Sequence, residues 1–389
     1  MGLNDTPSAE RIQIGFFGLR NAGKSSLVNR ITNQQMSVVS DIKGTTTDPV
    51  KKSMELLPLG PVTIVDTPGF DDEGELGEMR VAKTKEVLAT CDIAVIVTEN
   101  DSLSPSENEL KSIIEERGIP FLVVHNKCDL GSFSDSGSST LNVSALTSRG
   151  IAELKNAIAK LAPEKKSVRF VADIISEGDT VVLVIPIDTS APKGRIILPQ
   201  QQAIRDILDA NAISCITGVE NLSKTISSLK TSPALVITDS QAFAKVMKIV
   251  PENIPLTSFS ILMARYKGFL DQAVAGAEAI SSLKDGARIL ISEGCTHHRQ
   301  CEDIGTVKLP AMLRRFSGKE LIFEFSSGHA FPNDLSGFDL VIHCGACMLN
   351  DNEVMLRMKS AMAKGVPFTN YGISIAYMNG ILERSIAPI

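Results

Sequence analysis

Gly18-Leu19-Arg20-Asn21-Ala22-Gly23-Lys24-Ser25 decides the first half of the fold. It follows an apolar run at 12–17 and precedes a helical run at 26–31. In that strand–loop–helix context, backbone N–H groups at the helix start surround phosphates. Gly18, Asn21, Ala22, Gly23 and Ser26 are expected in the cradle, Lys24 on the β and γ phosphates and the Ser25 hydroxyl on Mg²⁺.

Further motifs follow in order, each at the end of an apolar run. Asp66-Thr67-Pro68-Gly69 offers a carboxylate that holds Mg²⁺ through water, and the Gly69 N–H faces the γ phosphate. Asn126-Lys127-Cys128-Asp129 presents an acceptor-only carboxylate for the two N–H donors of guanine, which adenine lacks. Ser144-Ala145-Leu146 supplies backbone to the guanine oxygen, and Thr46 is the threonine expected on Mg²⁺ only with the γ phosphate present. GTP and Mg²⁺ are therefore the expected ligands, with Lys24, Thr46, Asp66 and Gly69 doing the catalytic work. Phe70 stands where Ras-like proteins carry the glutamine that orients water, so slow intrinsic hydrolysis is expected.

The apolar runs at 12–17, 62–65, 93–98, 121–125 and 141–143 alternate with helical segments, the pattern of a parallel α/β sheet. Residues 163–167 read as a linker. A second α/β pattern has strands at 181–187, 214–216 and 234–238, with Cys215 expected on a buried strand; no titratable cluster marks it, so packing or association is its expected role. A third has strands at 288–292, 321–325 and 339–343. No internal repeat is evident. The expected domains are 1–165, 166–270 and 271–389: a P-loop domain followed by two smaller α/β domains with parallel sheets.

With 389 residues, several cores fit. Hydrophobic residues make up 43% of the chain, yet no apolar run approaches the roughly 18 residues that span a bilayer. The start lacks a signal-peptide pattern, so a cytoplasmic protein whose seven cysteines are thiols or metal ligands is expected. A net charge of −6 argues against a broad nucleic-acid footprint. Cys91 and Cys128 are expected to pack, and His125 and His329 have no evident partner.

The second constellation is Cys295-Thr296-His297 with His343-Cys344-Gly345-Ala346-Cys347, both starting where a strand ends. Three soft thiolates with borderline donors nearby suit an iron–sulfur cluster or zinc. His297, His343 and Glu302 are candidates for a fourth ligand, with Cys301 behind them. The residues alone leave a structural zinc site open.

Asn21 and the Gly44–Thr46 stretch resemble the TrmE/MnmE and Der GTPases, which implies a K⁺ ion held by Asn21 in place of an arginine finger. Thr47 departs from the arginine usual there. Across nearly the whole chain, the order of GTPase, middle domain, C-x-H and H-C-x-x-C resembles the HydF family, which matures iron-iron hydrogenase. That resemblance implies a 4Fe-4S cluster on Cys295, Cys344 and Cys347 with an exchangeable non-cysteine ligand, and a dimerisation role for the middle domain. It also implies a scaffold that takes a diiron precursor from the radical-SAM maturases HydE and HydG and delivers it to apo iron-iron hydrogenase. Because γ-phosphate contacts through Thr46 and Gly69 order two loops that hydrolysis releases, GTP is expected to switch association with, or release from, a maturase. The alternative is an RNA-modification or ribosome-assembly GTPase with a zinc module.

Overall fold

The computed structural model describes residues 10–33, 49–69, 75–131, 140–163, 168–186, 196–294, 303–328 and 330–389. The chain divides into two compact units, Met1–Lys165 and Lys166–Ile389.

In the first unit, β1 (Ile12–Phe17), β2 (Val50–Leu56), β3 (Gly60–Asp66), β4 (Ile93–Thr98), β5 (Phe121–His125) and β6 (Thr140–Asn142) form one sheet in the order β2-β3-β1-β4-β5-β6. The central strands are continuously apolar because both faces are covered. Ile14, Phe16, Val95 and Val124 pack with Leu27, Ile31 and Leu154 on one side. Phe17, Val65, Ile96 and Val123 pack with Leu88, Leu110 and Ile114 on the other. The wholly parallel sheet expected from sequence is corrected at one edge, where β2 runs antiparallel to β3. Lys51, Ser53 and Glu55 of β2 face solvent, so this strand has no apolar run to read.

The second unit holds two parallel four-stranded sheets. One contains β7 (Thr180–Val184), β8 (Ile213–Thr217), β9 (Leu235–Thr238) and β10 (Leu256–Ser258), ordered β10-β9-β7-β8. The other contains β11 (Arg288–Glu293), β12 (Ile322–Ser327), β13 (Leu340–His343) and β14 (Phe368–Asn370), ordered β12-β11-β13-β14. Val182, Val236 and Leu256 from the first join Ile289, Leu340, Val341 and Phe368 from the second in one buried cluster. Cys215 lies on the edge strand β8, where Ile213 and Ile216 are exposed, and not on a buried strand as its apolar neighbours suggested.

The two strand orders are the same, and the likeness extends to sequence and hydrogen bonds. Leu235-Val236-Ile237 corresponds to Leu340-Val341-Ile342, and Pro255-Leu256-Thr257-Ser258-Phe259-Ser260-Ile261 to Pro367-Phe368-Thr369-Asn370-Tyr371-Gly372-Ile373. Val236 N donates to Pro255 O as Val341 N does to Pro367 O, each at 2.9 Å. Ser258 caps the helix Phe259–Tyr266 by accepting from Ile261 N, and Asn370 caps Tyr371–Met378 by accepting from Ile373 N. The unit is therefore an internal repeat, which the sequence alone did not disclose.

The copies meet reciprocally. A Cβ on Gly372 would lie 2.8 Å from Ser240 Oγ, and one on Gly345 would lie 3.9 Å from Ser260 Oγ; Gly372 corresponds to Ser260, and Ser240 to Gly345. Asn370 Nδ2 donates to Ser260 O at 3.0 Å, while the counterpart of Asn370, Ser258, sits beside Gly372. Such exchange of partners is the mark of an isologous contact, here within one chain. Gly372→Ala would bring a Cβ to 2.5 Å from Ser260 Cβ. We expect it to lower the stability of the C-terminal unit by about 1–3 kcal/mol, read as an earlier denaturant midpoint by circular dichroism; an unchanged midpoint would contradict the tight seam.

Candidate functional site

Buried β1 delivers Gly18 to the sheet end, where a Cβ would fall 2.1 Å from Val97 O. Gly23 then turns the chain into the helix Lys24–Thr32 with φ 84°, and no side chain caps that helix. Its first N–H groups stay available to an anion. Lys24 Nζ donates to Gly18 O and Leu19 O at 2.9 and 2.7 Å, so the ammonium is held over the loop. Ser25 Oγ donates to Asp66 Oδ2 at 2.6 Å, which brings two groups suited to a hard cation together. Gly69 follows on the same segment. Thr46 and Phe70 lie outside the described residues. Asn21 is exposed and takes φ 62°.

Asn126 does more than its motif suggested. Its Nδ2 donates to Ala22 O at 3.0 Å and its Oδ1 accepts from Ala145 N at 3.1 Å, tying the phosphate loop to the segment after β6. Ser144 Oγ donates to Asp129 Oδ1, leaving the exposed Asp129 aimed by a buried hydroxyl. Lys127 takes φ 64° and pairs with Glu99. Sequence reasoning missed Arg30, which donates from Nε to Ala145 O and from Nη2 to Leu146 O, each at 2.9 Å. An arginine on an exposed helix face gives no signal of this role. His125 also finds a partner, Asn100 O, at 2.7 Å from Nδ1. Cys91 and Cys128 are buried, and burial pushes the Cys91 thiol up to about 12.

In the second unit, β11 and β13 lie side by side with Ser292 opposite His343, and β12 and β14 flank them. Crossovers leaving β11 and β13 go to opposite sides, so their carboxyl ends bound a crevice of the kind that holds ligands in open parallel sheets. Cys344 and Cys347 sit on the turn that leaves β13. Cys344 Sγ accepts from Gly294 N at 3.1 Å and from Ala346 N at 3.4 Å, and Ala346 takes φ 56° to allow it. Burial pushes the Cys344 thiol up, and the two N–H groups pull it down. Two N–H donors already aimed at one sulfur suit a thiolate ligand. Cys295, His297, Cys301 and Glu302 lie outside the described residues, and among the described residues no three His, Cys, Asp or Glu converge as a metal site.

His343 is fully buried, with both ring nitrogens engaged: Nδ1 with Cys344 O at 2.9 Å and Nε2 with Arg357 Nη1 at 3.1 Å. The guanidinium can only donate, so Nε2 accepts and Nδ1 carries the proton. Burial, then the Arg357 charge, hold the imidazole down at about 3, neutral at ordinary pH. Arg357 is itself buried and also donates from Nη2 to Glu353 Oε1 and to Gly328 O, each at 2.6 Å. No sequence pattern pointed to it.

Three family profiles match the chain. One described as a hydrogen maturase F dimerization domain matches residues 170–268, and one described as a hydrogen maturase F tetramerization domain matches 271–388. A third, described as a 50S ribosome-binding GTPase, matches 13–127. Among curated relatives, the tRNA modification GTPase MnmE of Nitrosomonas europaea is 30% identical over 160 residues, 39% of this chain and 35% of that protein. That of Koribacter versatilis is 32% identical over 158 residues, 39% of this chain and 34% of that protein. The chain thus spans about a third of the length of these relatives. Among solved structures, Era of Aquifex aeolicus bound to GDP.AlF4- is 19% identical with a TM-score of 0.36, covering 53% of this chain and 92% of that one. A probable GTP-binding protein engB is 23% identical with a TM-score of 0.31, covering 38% and 97%. No helix of the described residues is long and apolar enough to cross a membrane. The GTPase domain implies GTP and Mg²⁺ as ligands and GTP hydrolysis as the reaction. With two maturase domains in succession behind it, together matching more than half of the residues, the chain belongs to the hydrogen maturase F family of hydrogenase-maturation GTPases.

Proposed function

We propose that the chain is a GTP-hydrolysing scaffold that holds a 4Fe-4S cluster and hands a diiron precursor to unmatured iron-iron hydrogenase. The observation that carries this reading is the repeat. The middle lobe leaves β9 through Asp239 and a short 3-10 turn, Ser240–Ala242, that runs straight into a helix, whereas the last lobe leaves β13 in a longer turn that carries Cys344 and Cys347 and bends through Ala346 at φ 56°. A turn that the repeat does without, folded so that one of its thiols accepts from two backbone N–H groups, supports ligation as the role of its cysteines.

Cys344 and Cys347, with Cys295 just beyond the end of β11, supply three thiolates. The engaged ring of His343 favours Glu302 or His297 for an exchangeable fourth position. Such a cluster, when bound, supplies an iron with a replaceable ligand to which a second iron unit can attach. The Gly294 and Ala346 N–H groups hold charge on Cys344, and the neutral His343 fixes the backbone beneath it. HydE and HydG are the partners expected to load the scaffold, apo hydrogenase the one to unload it, and the family's dimerization domain points to a homodimer.

On the nucleotide side, Lys24 holds the β and γ phosphates and Ser25, Thr46 and Asp66 serve Mg²⁺. The Gly69 N–H senses the γ phosphate, Asp129 reads guanine, and Asn21 holds K⁺. Phe70 offers no proton acceptor to orient water, so turnover is slow without that ion.

Asp129→Asn replaces an acceptor by a donor facing the guanine N–H groups. GTP affinity is expected to fall about ten- to a hundredfold, the worth of a charge-assisted hydrogen bond, with xanthosine triphosphate binding better; unchanged GTP affinity would remove Asp129 from the base. Turnover in KCl should exceed that in NaCl, and Asn21→Ala should erase the difference; equal rates in both salts for the native chain would refute K⁺ activation.

Anaerobic reconstitution with iron and sulfide should give about four of each per chain and an EPR signal after reduction. Cys344→Ser should lose the signal and fail to activate apo hydrogenase. Zinc without sulfide, in a protein indifferent to reductant, would overturn the scaffold reading.

A further inference from the structure

The cysteine turn belongs to the last lobe by sequence, yet every second residue along it meets the middle lobe. Gly345 lies against Ser260 at the start of the helix Phe259–Tyr266. Cys347 packs on the buried cluster that Phe259, Leu262 and Met263 of that helix share with β7 and β9. Lys267, which ends the same helix, donates from Nζ to Leu349 O at 2.7 Å and to Asp351 Oδ1 at 3.2 Å. One short helix of the middle lobe thus borders the turn from Gly345 to Asp351.

The repeat supplies an internal control. Lys267 corresponds to Asn379, which ends the equivalent helix: Lys267 N donates to Met263 O as Asn379 N does to Ile375 O. Asn379 Nδ2 turns back onto its own helix, donating to Ile375 O at 2.7 Å. Lys267 instead leaves its lobe, although it is only 6% exposed. Burying an ammonium is costly unless it is paired and hydrogen-bonded. The long cation occurs in the copy that faces the cysteine turn, and a short amide in the copy that faces Asp239 and Ala242.

We propose that Lys267 is a positioning residue for the cluster: it fixes the exit of the cysteine turn through Leu349 O and Asp351, and it makes the middle lobe a working wall of the cluster site as well as an association module. This rests on the cluster reading above. Held from both ends, by Gly294 on Cys344 and by Lys267 on Leu349, the turn keeps its two thiols in one arrangement while the exchangeable ligand comes and goes.

The test uses the full chain, reconstituted anaerobically with iron and sulfide. Iron and sulfide content, the EPR line shape after reduction and the rate of iron loss to a chelator are compared for native, Lys267→Met, Lys267→Arg and Asp351→Asn proteins, with circular dichroism of each. The expected result is about tenfold faster iron loss in Lys267→Met, the usual scale for removing a group that orients a metal ligand. Its line shape should change while its dichroism does not, Lys267→Arg should stay near native, and Asp351→Asn should shift less in the same direction. Native iron-loss rate and line shape in a folded Lys267→Met overturn the proposal. Should Lys267→Met not fold, native values in Asp351→Asn overturn it instead, and a shift there supports it. A native chain that takes up no iron and sulfide overturns the cluster reading itself, and with it this proposal.

Discussion

The seam at which Gly372 meets Ser240, Ser258 and Ser260 is the constraint on which the C-terminal unit depends. Strand carboxyl ends hand over to turns and helix starts, whose polar groups must be satisfied if the ends are buried. Here the caps do this locally: Ser258 and Asn370 each accept from the N–H three residues on. Their helices start with those donors satisfied, and small residues let the two ends close on each other. The cysteine turn leaves β13 at this seam, so its surroundings come from both copies.

A single buried amide plays a comparable part in the N-terminal unit. The phosphate loop follows β1 and the base-facing segment follows β6, at opposite ends of four adjacent strands. Asn126 donates to one and accepts from the other, and Arg30 holds the same far segment by its carbonyls. The phosphate loop and the segment after β6 are thereby held to each other by side-chain hydrogen bonds, although far apart in the chain.

The sequence disclosed what it states by continuous apolar runs and by motifs. β1, β4 and β5 have the expected limits because both faces of each are covered. β2 escaped because its face alternates, and β10 and β14 because Leu256-Thr257-Ser258 and Phe368-Thr369-Asn370, though buried, each hold a single apolar residue and so make no apolar run. The repeat escaped because its spacing drifts between strands, and only short stretches such as Leu235-Val236-Ile237 and Leu340-Val341-Ile342 kept their residues. The turn that carries Cys344 and Cys347 was legible as a strand-end motif by spacing. Arg357 and Lys267 were not, since a cation in a helix reads as a solvated charge until the structure buries it. Likewise, the engagement of both His343 nitrogens, with Cys344 O and with Arg357, cannot be read from its place beside a cysteine.

Those two buried cations sharpen what the last lobe is for. Each pairs with a carboxylate on the helix Asp351–Ala363 that follows the cysteine turn: Arg357 with Glu353, Lys267 with Asp351. Stability alone explains such pairs poorly, because apolar residues of similar volume often serve as well or better. What an apolar core cannot do is choose a tautomer or hold a carbonyl. Arg357 makes His343 Nε2 the acceptor and so gives the proton to Nδ1, which donates to Cys344 O; Lys267 holds Leu349 O. The two cations thus fix the backbone at the first cysteine and just past the second. Removing Arg357 alone would leave Glu353 buried without its counter-charge and free the tautomer of His343, whereas removing Lys267 would release Leu349 O, so each cation is tied to the definition of the turn as well as to the core.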